Sequence, residues 1–263
     1  MQLKKLAAAL ALVAAAPAFA AIDGGNPSGN GELFLTVYDA GYSYTLDLGV
    51  TLTGPGAYDA NAPYSFALNS TLFNQFYAAS GGSTDDLRFA VVGADGVGGT
   101  AVGGLNLFST VSTAGTTALS NGGILIATSA VNAFAGAQQT ASNTTHTLGG
   151  FSQNGESYSA VGESSNWITA NMSSFNAAIP TSAGWNNGVA VGTEAAFKSF
   201  GRAAGGSGSA TSQVTFAGTW SLSQTPQGGF TVNYTAVPEP GSLALMLAGL
   251  SAVGFVARRR SPK

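Results

Sequence analysis

Between residues 42 and 53 every second residue is apolar. Tyr42, Tyr44, Leu46, Leu48, Val50 and Leu52 alternate with Ser43, Thr45, Asp47, Gly49, Thr51 and Thr53. Successive side chains of a strand point to opposite faces, so this run dictates a β-strand with one apolar face. A second strand candidate, residues 32–38, precedes it across Asp39-Ala40-Gly41, which predicts a hairpin. The same alternation returns in Val214, Phe216, Trp220 and Leu222. After a turn at residues 225–229 it continues in Phe230, Val232 and Tyr234, and Leu87, Phe89 and Val91 supply a further strand. Burial of one face is typical of antiparallel sheets. The expected class is therefore mainly β, an antiparallel β-sandwich-like body with a few inserted helices.

The helices are predicted from period 3.6. Leu72, Phe73, Phe76 and Tyr77 share a helical face behind Asn69 or Ser70, either of which suits an N-cap. Ile168, Met172, Phe175 and Ile179 repeat at helical spacing before Pro180. Residues 124–141 read as a helix with Ala127, Val131 and Phe134 inward, although Ile124-Leu125-Ile126 also suits a strand. Glycine- and serine-rich stretches such as residues 203–210 read as loops.

Charge is distributed unevenly. Of nine Lys and Arg residues, six lie in the terminal segments, and only Arg88, Lys198 and Arg202 lie between. All twelve acidic residues fall between Asp23 and Glu239, so the interior of the chain carries a net −9 against −3 for the whole. A lysine-poor acidic surface cannot neutralise phosphates, which excludes nucleic-acid binding, and it has no basic patch for anionic lipid. There is no cysteine, so a body of about 217 residues, the size of one domain, must rely on its core.

The N-terminal basic pair explains itself. Lys4 and Lys5 precede an apolar run over residues 6–16 and the triplet Ala18-Phe19-Ala20. That is the order of a secretory signal peptide over residues 1–20, cleaved between Ala20 and Ala21 by signal peptidase.

Groups able to perform chemistry are few. The single histidine, His146, sits in a Ser/Thr/Asn stretch, and no Gly-x-Ser-x-Gly turn surrounds a serine that it could activate. Asp85 and Asp86 are adjacent and suit a turn. Glu156 and Glu163 could act as a glycosidase pair only if tertiary structure brought them together. With no cysteine and one histidine, no zinc site is expected, and Asp23-Gly24-Gly25-Asn26 and Asp95-Gly96 read as turns, not calcium loops. Neither a metal nor a cofactor is expected. Among the aromatics, Tyr42, Tyr44 and Trp220 continue apolar strand faces. Trp185, in Ala183-Gly184-Trp185-Asn186-Asn187-Gly188, is the one tryptophan in a turn context and the candidate saccharide contact.

The C-terminal segment, residues 237–263, reads VPEPGSLALMLAGLSAVGFVARRRSPK. Pro238, Glu239 and Pro240 precede sixteen uncharged residues, 242–257, and then Arg258, Arg259 and Arg260. As a helix the apolar run would extend about 24 Å, short of the roughly 30 Å bilayer core unless the membrane thins or the arginines snorkel. The arginines behind it fit the cytoplasmic side. This order, at the end of a chain that opens with a signal peptide, closely resembles the PEP-CTERM sorting signal of Gram-negative bacteria. The stretches GELFLTVYDAGYSYTLDLGVTL and DDLRFAVVGAD also resemble a recurrent cargo type with this tail. The resemblance implies a precursor held in the inner membrane by a transmembrane helix over about 242–257, with a basic tail over 258–263. It further implies processing near Pro238-Glu239-Pro240 by an exosortase, an exported product at the cell surface or outside the cell, and an association with exopolysaccharide and biofilm.

The expected protein is thus a signal peptide (1–20), an exported body (21–236) and a sorting signal (237–263). Its expected role is non-enzymatic. A lectin-like adhesin using Trp185 is the alternative, and a secreted hydrolase using His146 or the Glu156/Glu163 pair is the third reading.

Overall fold

A computed structural model describes residues 22–25, 30–54, 57–96, 99–112, 119–140, 155–163, 165–168, 188–237 and 250. The N-terminal segment up to Ala21, His146, Trp185 and residues 238–249 and 251–263 lie outside the described residues.

Ten strands form one sheet in which every pairing is antiparallel. They are β1 (Glu32–Tyr38), β2 (Tyr42–Thr51), β3 (Tyr64–Leu68), β4 (Arg88–Asp95) and β5 (Asn106–Ser112). β6 (Glu156–Ala160), β7 (Val189–Ala190), β8 (Glu194–Gly201), β9 (Ser212–Gln224) and β10 (Phe230–Thr235) complete it. The order is β3-β10-β9-β8-β5-β4-β1-β2-β6, with the short β7 on β4. Among the described residues two helices, α1 (Thr71–Ala79) and α2 (Asn121–Thr140), pack on opposite faces.

The mainly-β antiparallel expectation holds, but the two facing sheets of a sandwich are replaced by one sheet curled into a half-barrel. Its two halves face each other across a shared interior, where Leu35 and Tyr44 of the first hairpin join Trp220, Leu222 and Val232 of the last. Irregularities in pairing help an antiparallel sheet bend. One lies where Leu33 pairs with Val50 but Phe34 with Asp47, leaving Leu48 and Gly49 extra on β2. Gly49 has φ +61° there, a conformation that costs glycine little. A second lies between Ala196, opposite Thr219, and Lys198, opposite Thr215. This second irregularity corrects the simple alternation expected across β9. Trp220 and Leu222 are fully buried, whereas Val214, beyond the bulge, is 54% exposed.

α1 fills the open side of the curl, following the edge strand β3 and touching β2 and β6 at the opposite edge. Leu72, Phe73 and Phe76 point into the interior. Ser70 is the N-cap, its Oγ accepting from Phe73 N at 3.0 Å. The helix ends where Gly81 adopts φ +85° and Gly82 N donates back to Tyr77 O.

α2 resolves the ambiguity at residues 124–126 in favour of helix. Ala127, Val131 and Phe134 are all buried, as their spacing predicts. They cover the outer face of the sheet at Phe34, Val92 and Leu107. Each fully buried Phe or Val contributes roughly 1.5–3 kcal/mol from burial. Phe134 and Trp167 meet edge to face at 4.9 Å beside Phe34. The helix predicted at 168–179 is described only at its start, with Trp167 and Ile168 helical.

Burial of both faces overturns the one-face reading of β2. Ser43, Thr45 and Asp47, on the polar face, are 0–1% exposed. Residues 165–168 and Gln138 of α2 hydrogen-bond along this face at Ser43, Ser157 and Ser159, whereas Thr45 Oγ1 and Asp47 Oδ2 have no hydrogen-bond partner among the described residues. Trp167 N donates to Ser43 Oγ at 2.9 Å, Asn166 Nδ2 to Ser159 O at 3.0 Å and Gln138 Nε2 to Ser165 O at 2.7 Å. Ser157 Oγ donates to Gln138 Oε1.

Candidate functional site

The acidic candidates occupy separate places. Glu156 opens β6 opposite Leu46, and Glu163 lies in the turn beyond the far end of that strand. Glu163 Oε2 accepts from Ala160 N at 2.8 Å. The two acids are not brought together as a glycosidase pair.

Glu156 instead joins elements that are distant in sequence. Tyr44 OH donates to its Oε2 at 2.6 Å and Ser70 Oγ donates to the same oxygen at 2.7 Å. The N-cap of α1 is thereby tied to β2 and β6 across the seam of the half-barrel. Tyr44 is buried, and burial together with the Glu156 charge drives its phenol pKa well above the ordinary value. Sequence reasoning missed this cluster because its members lie 86 and 112 residues apart.

Other acids shape backbone. Asp85 and Asp86 are exposed at the turn before β4. Asp23 Oδ1 accepts from Gly25 N at 3.0 Å, and Asp23 N donates to Glu32 Oε2 at 2.8 Å. Asp95 Oδ1 accepts from Gly31 N at 3.4 Å. These are turn and strand-end contacts, and no group of three His, Cys, Asp or Glu side chains converges for a metal among the described residues. Asp47 differs. Burial raises its carboxyl to about 6, against the hydrogen bond from Gly49 N that lowers it, and the Glu32 charge adds to the rise. Glu32 is itself raised by burial, against the hydrogen bond from Asp23 N that lowers it, and the Asp23 charge adds to the rise.

Trp167 and Trp220 are core residues, 3% and 0% exposed. Three partly exposed aromatics, Tyr58, Tyr64 and Phe216, gather at the mouth of the half-barrel near the end of β10, while Tyr42 packs on Tyr158 and Tyr77 on Phe230 elsewhere. Tyr58 stacks on Tyr64 with centroids 5.7 Å apart and meets Phe216 at 5.3 Å and Tyr234 at 5.5 Å, both edge to face. Tyr64 is the register partner of Tyr234 on β10. Tyr234 OH donates to Ala60 O at 3.1 Å, which holds the turn before β3 against this end of the sheet.

β10 is gripped on both sides, by β9 along its whole length and by β3 from Phe230 to Tyr234. Phe230, Val232 and Tyr234 are 0–2% exposed. The strand stops at Thr235, and Ala236 and Val237 lead out of the fold, with Val237 48% exposed. The sorting residues Pro238, Glu239, Pro240, Arg258, Arg259 and Arg260 follow directly. Among the described residues no helix is long and apolar enough to cross a membrane. The expected span over 242–257 lies outside them except for Leu250.

No protein of curated function and no solved structure matches the chain. Residues 236–260 match the PEP-CTERM protein-sorting motif. Starting at the residue after the last strand, this chain carries a PEP-CTERM sorting motif, which implies an exported protein processed by an exosortase at the membrane before it reaches the surface.

Proposed function

We propose that the chain is a non-enzymatic surface or extracellular-matrix protein, exported with a cleaved signal peptide and associated with exopolysaccharide or biofilm. The observation that carries the reading is the junction at residue 236. A strand locked between two neighbours ends at Thr235, and the sorting motif starts at the next position. Cleavage near Pro238-Glu239-Pro240 would thus release the body without removing a strand residue. The acidic, lysine-poor surface suits a secreted polymer-associated protein. The use of Glu156 as a structural tie and the separation of Glu163 from it support the non-enzymatic part.

Intact mass spectrometry of the protein from its native host, envelope against culture medium, tests this. The expected product begins at Ala21 and ends near Pro240, with any attached hexose seen as added mass. Retention of Arg258, Arg259 and Arg260 in the envelope form would make the tail a permanent anchor and end the exosortase assignment.

A further inference from the structure

We propose that the tail-exit mouth of the body, built from Tyr58, Tyr64, Phe216, Val214 and Val237, docks on the lipid headgroup interface of the membrane that holds the precursor's tail. The inference rests on the sorting reading above and adds a membrane-facing surface to it.

Reach comes first. Seven residues lead from Thr235 to Ser242, the first residue of the apolar run. An extended chain covers at most about 3.6 Å per residue, so the end of β10 stands within about 25 Å of that run. β10 cannot peel away to lengthen the tether, because it is paired on both edges and its apolar side chains are buried. The body is therefore presented to the membrane by this end.

Chemistry comes second. Tyr58, Tyr64 and Phe216 are half-buried there, in contact with one another through Tyr58. Val214 and Val237, exposed at 54% and 48%, flank the same end on β9 and after β10. The Tyr58 hydroxyl is buried and the Tyr64 hydroxyl accepts from Asp59 N at 2.8 Å, so the patch offers mainly ring surface, and aromatic rings are favoured where hydrocarbon meets headgroups. The turn before β3 contributes one acid, Asp59, and its Oδ1 is occupied by Asn61 N at 2.9 Å. A patch with little charge is what allows a body of net −9 to approach lipid, since its acidic remainder gains nothing from an anionic surface. The occupant is the bilayer because the tail expected to enter it leaves from the end of β10, which lies between β3 with Tyr64 and β9 with Phe216.

The test uses the full-length precursor in vesicles of phosphatidylethanolamine and phosphatidylglycerol with headgroup-spin-labelled lipid. The chain lacks cysteine, so one introduced cysteine carries the only fluorophore. It is placed at Ala217, beside the mouth, or at Gln227, in the turn at the other end of β10. Strong quenching at 217 and weak quenching at 227 are expected. Val214→Asp, which alters an exposed side chain, should weaken quenching at 217 by about twofold or more. Equal quenching at both positions, or an undiminished signal in Val214→Asp, overturns the docking, because the tether alone then sets the proximity. Vesicle flotation separates the two layers of the argument. A precursor that floats without quenching at 217 leaves the sorting reading intact and ends the docking, and one that fails to float ends both.

Discussion

Asp47 is buried on β2 with one carboxylate oxygen engaged by Gly49 N at 2.7 Å and the other without a partner among the described residues. Its carboxyl is raised from 3.8 to about 6, chiefly by burial. A raised folded-state value means that the protonated form favours folding. The stabilisation is complete below about pH 3.8 and is lost as pH rises through about 6. Asp47→Asn keeps an acceptor for Gly49 N and cannot ionise. Its melting temperature should exceed that of the parent at pH 7, and the two should converge below pH 4; a constant gap across the titration would remove the assignment. Gly218 makes the opposite point. A Cβ there would lie 2.4 Å from Cζ and OH of Tyr234. Gly218→Ala should cost about 1–3 kcal/mol by overpacking, read as a fall of about 2–4 °C per kcal/mol in thermal midpoint.

Elements close the fold where single residues do not. α1 has a short apolar face, yet it plugs the interior between edge strand β3 and the β2–β6 pair because its N-cap also reaches Glu156. Ser70→Ala should cost about 0.5–2 kcal/mol through the cap. Glu156→Ala should cost about 1–3 kcal/mol by leaving the Tyr44 hydroxyl without its acceptor. Because Ser70 and Glu156 touch, the double variant should cost less than the sum of the singles in urea unfolding, and simple additivity would show the tie to be idle. The elements also show what periodicity can report. Phe73 and Phe76 at i, i+3 and Ala127, Val131 and Phe134 over two turns were legible as inward faces, because a helix in either setting buries the same stripe. The loss of water from the polar face of β2 was not legible. Ser43, Thr45 and Asp47 look like a solvated row, yet all three are buried in the fold, where Trp167 N reaches Ser43 Oγ.

At the scale of the molecule, the last described strand ends before the sorting motif begins, and only Ala236 of the motif's first two residues packs against the core. A chain cut after Val237 should keep its cooperative thermal transition within about 2 °C of the detergent-solubilised precursor. A cut after Val232 should abolish it, because Tyr234 and its partners Trp220 and Tyr64 lose their common strand. If the Val237 truncation also failed to fold, the body and tail would be one unit and the release mechanism would need revision.

The strand and helix periods, the lack of cysteine, the acidic low-charge body and the order of the sorting motif are all readable along the linear chain. All of these are local or compositional, and local order survives in a linear string. Tertiary structure decided the rest. A single curled sheet and a sandwich share the same alternating strands, and they differ only in which strand pairs with which and where a bulge bends the ladder, as at Gly49 and before Lys198. The Tyr44–Glu156–Ser70 tie and the aromatic mouth around Tyr58 likewise depend on residues far apart in the chain, which side-chain period cannot encode.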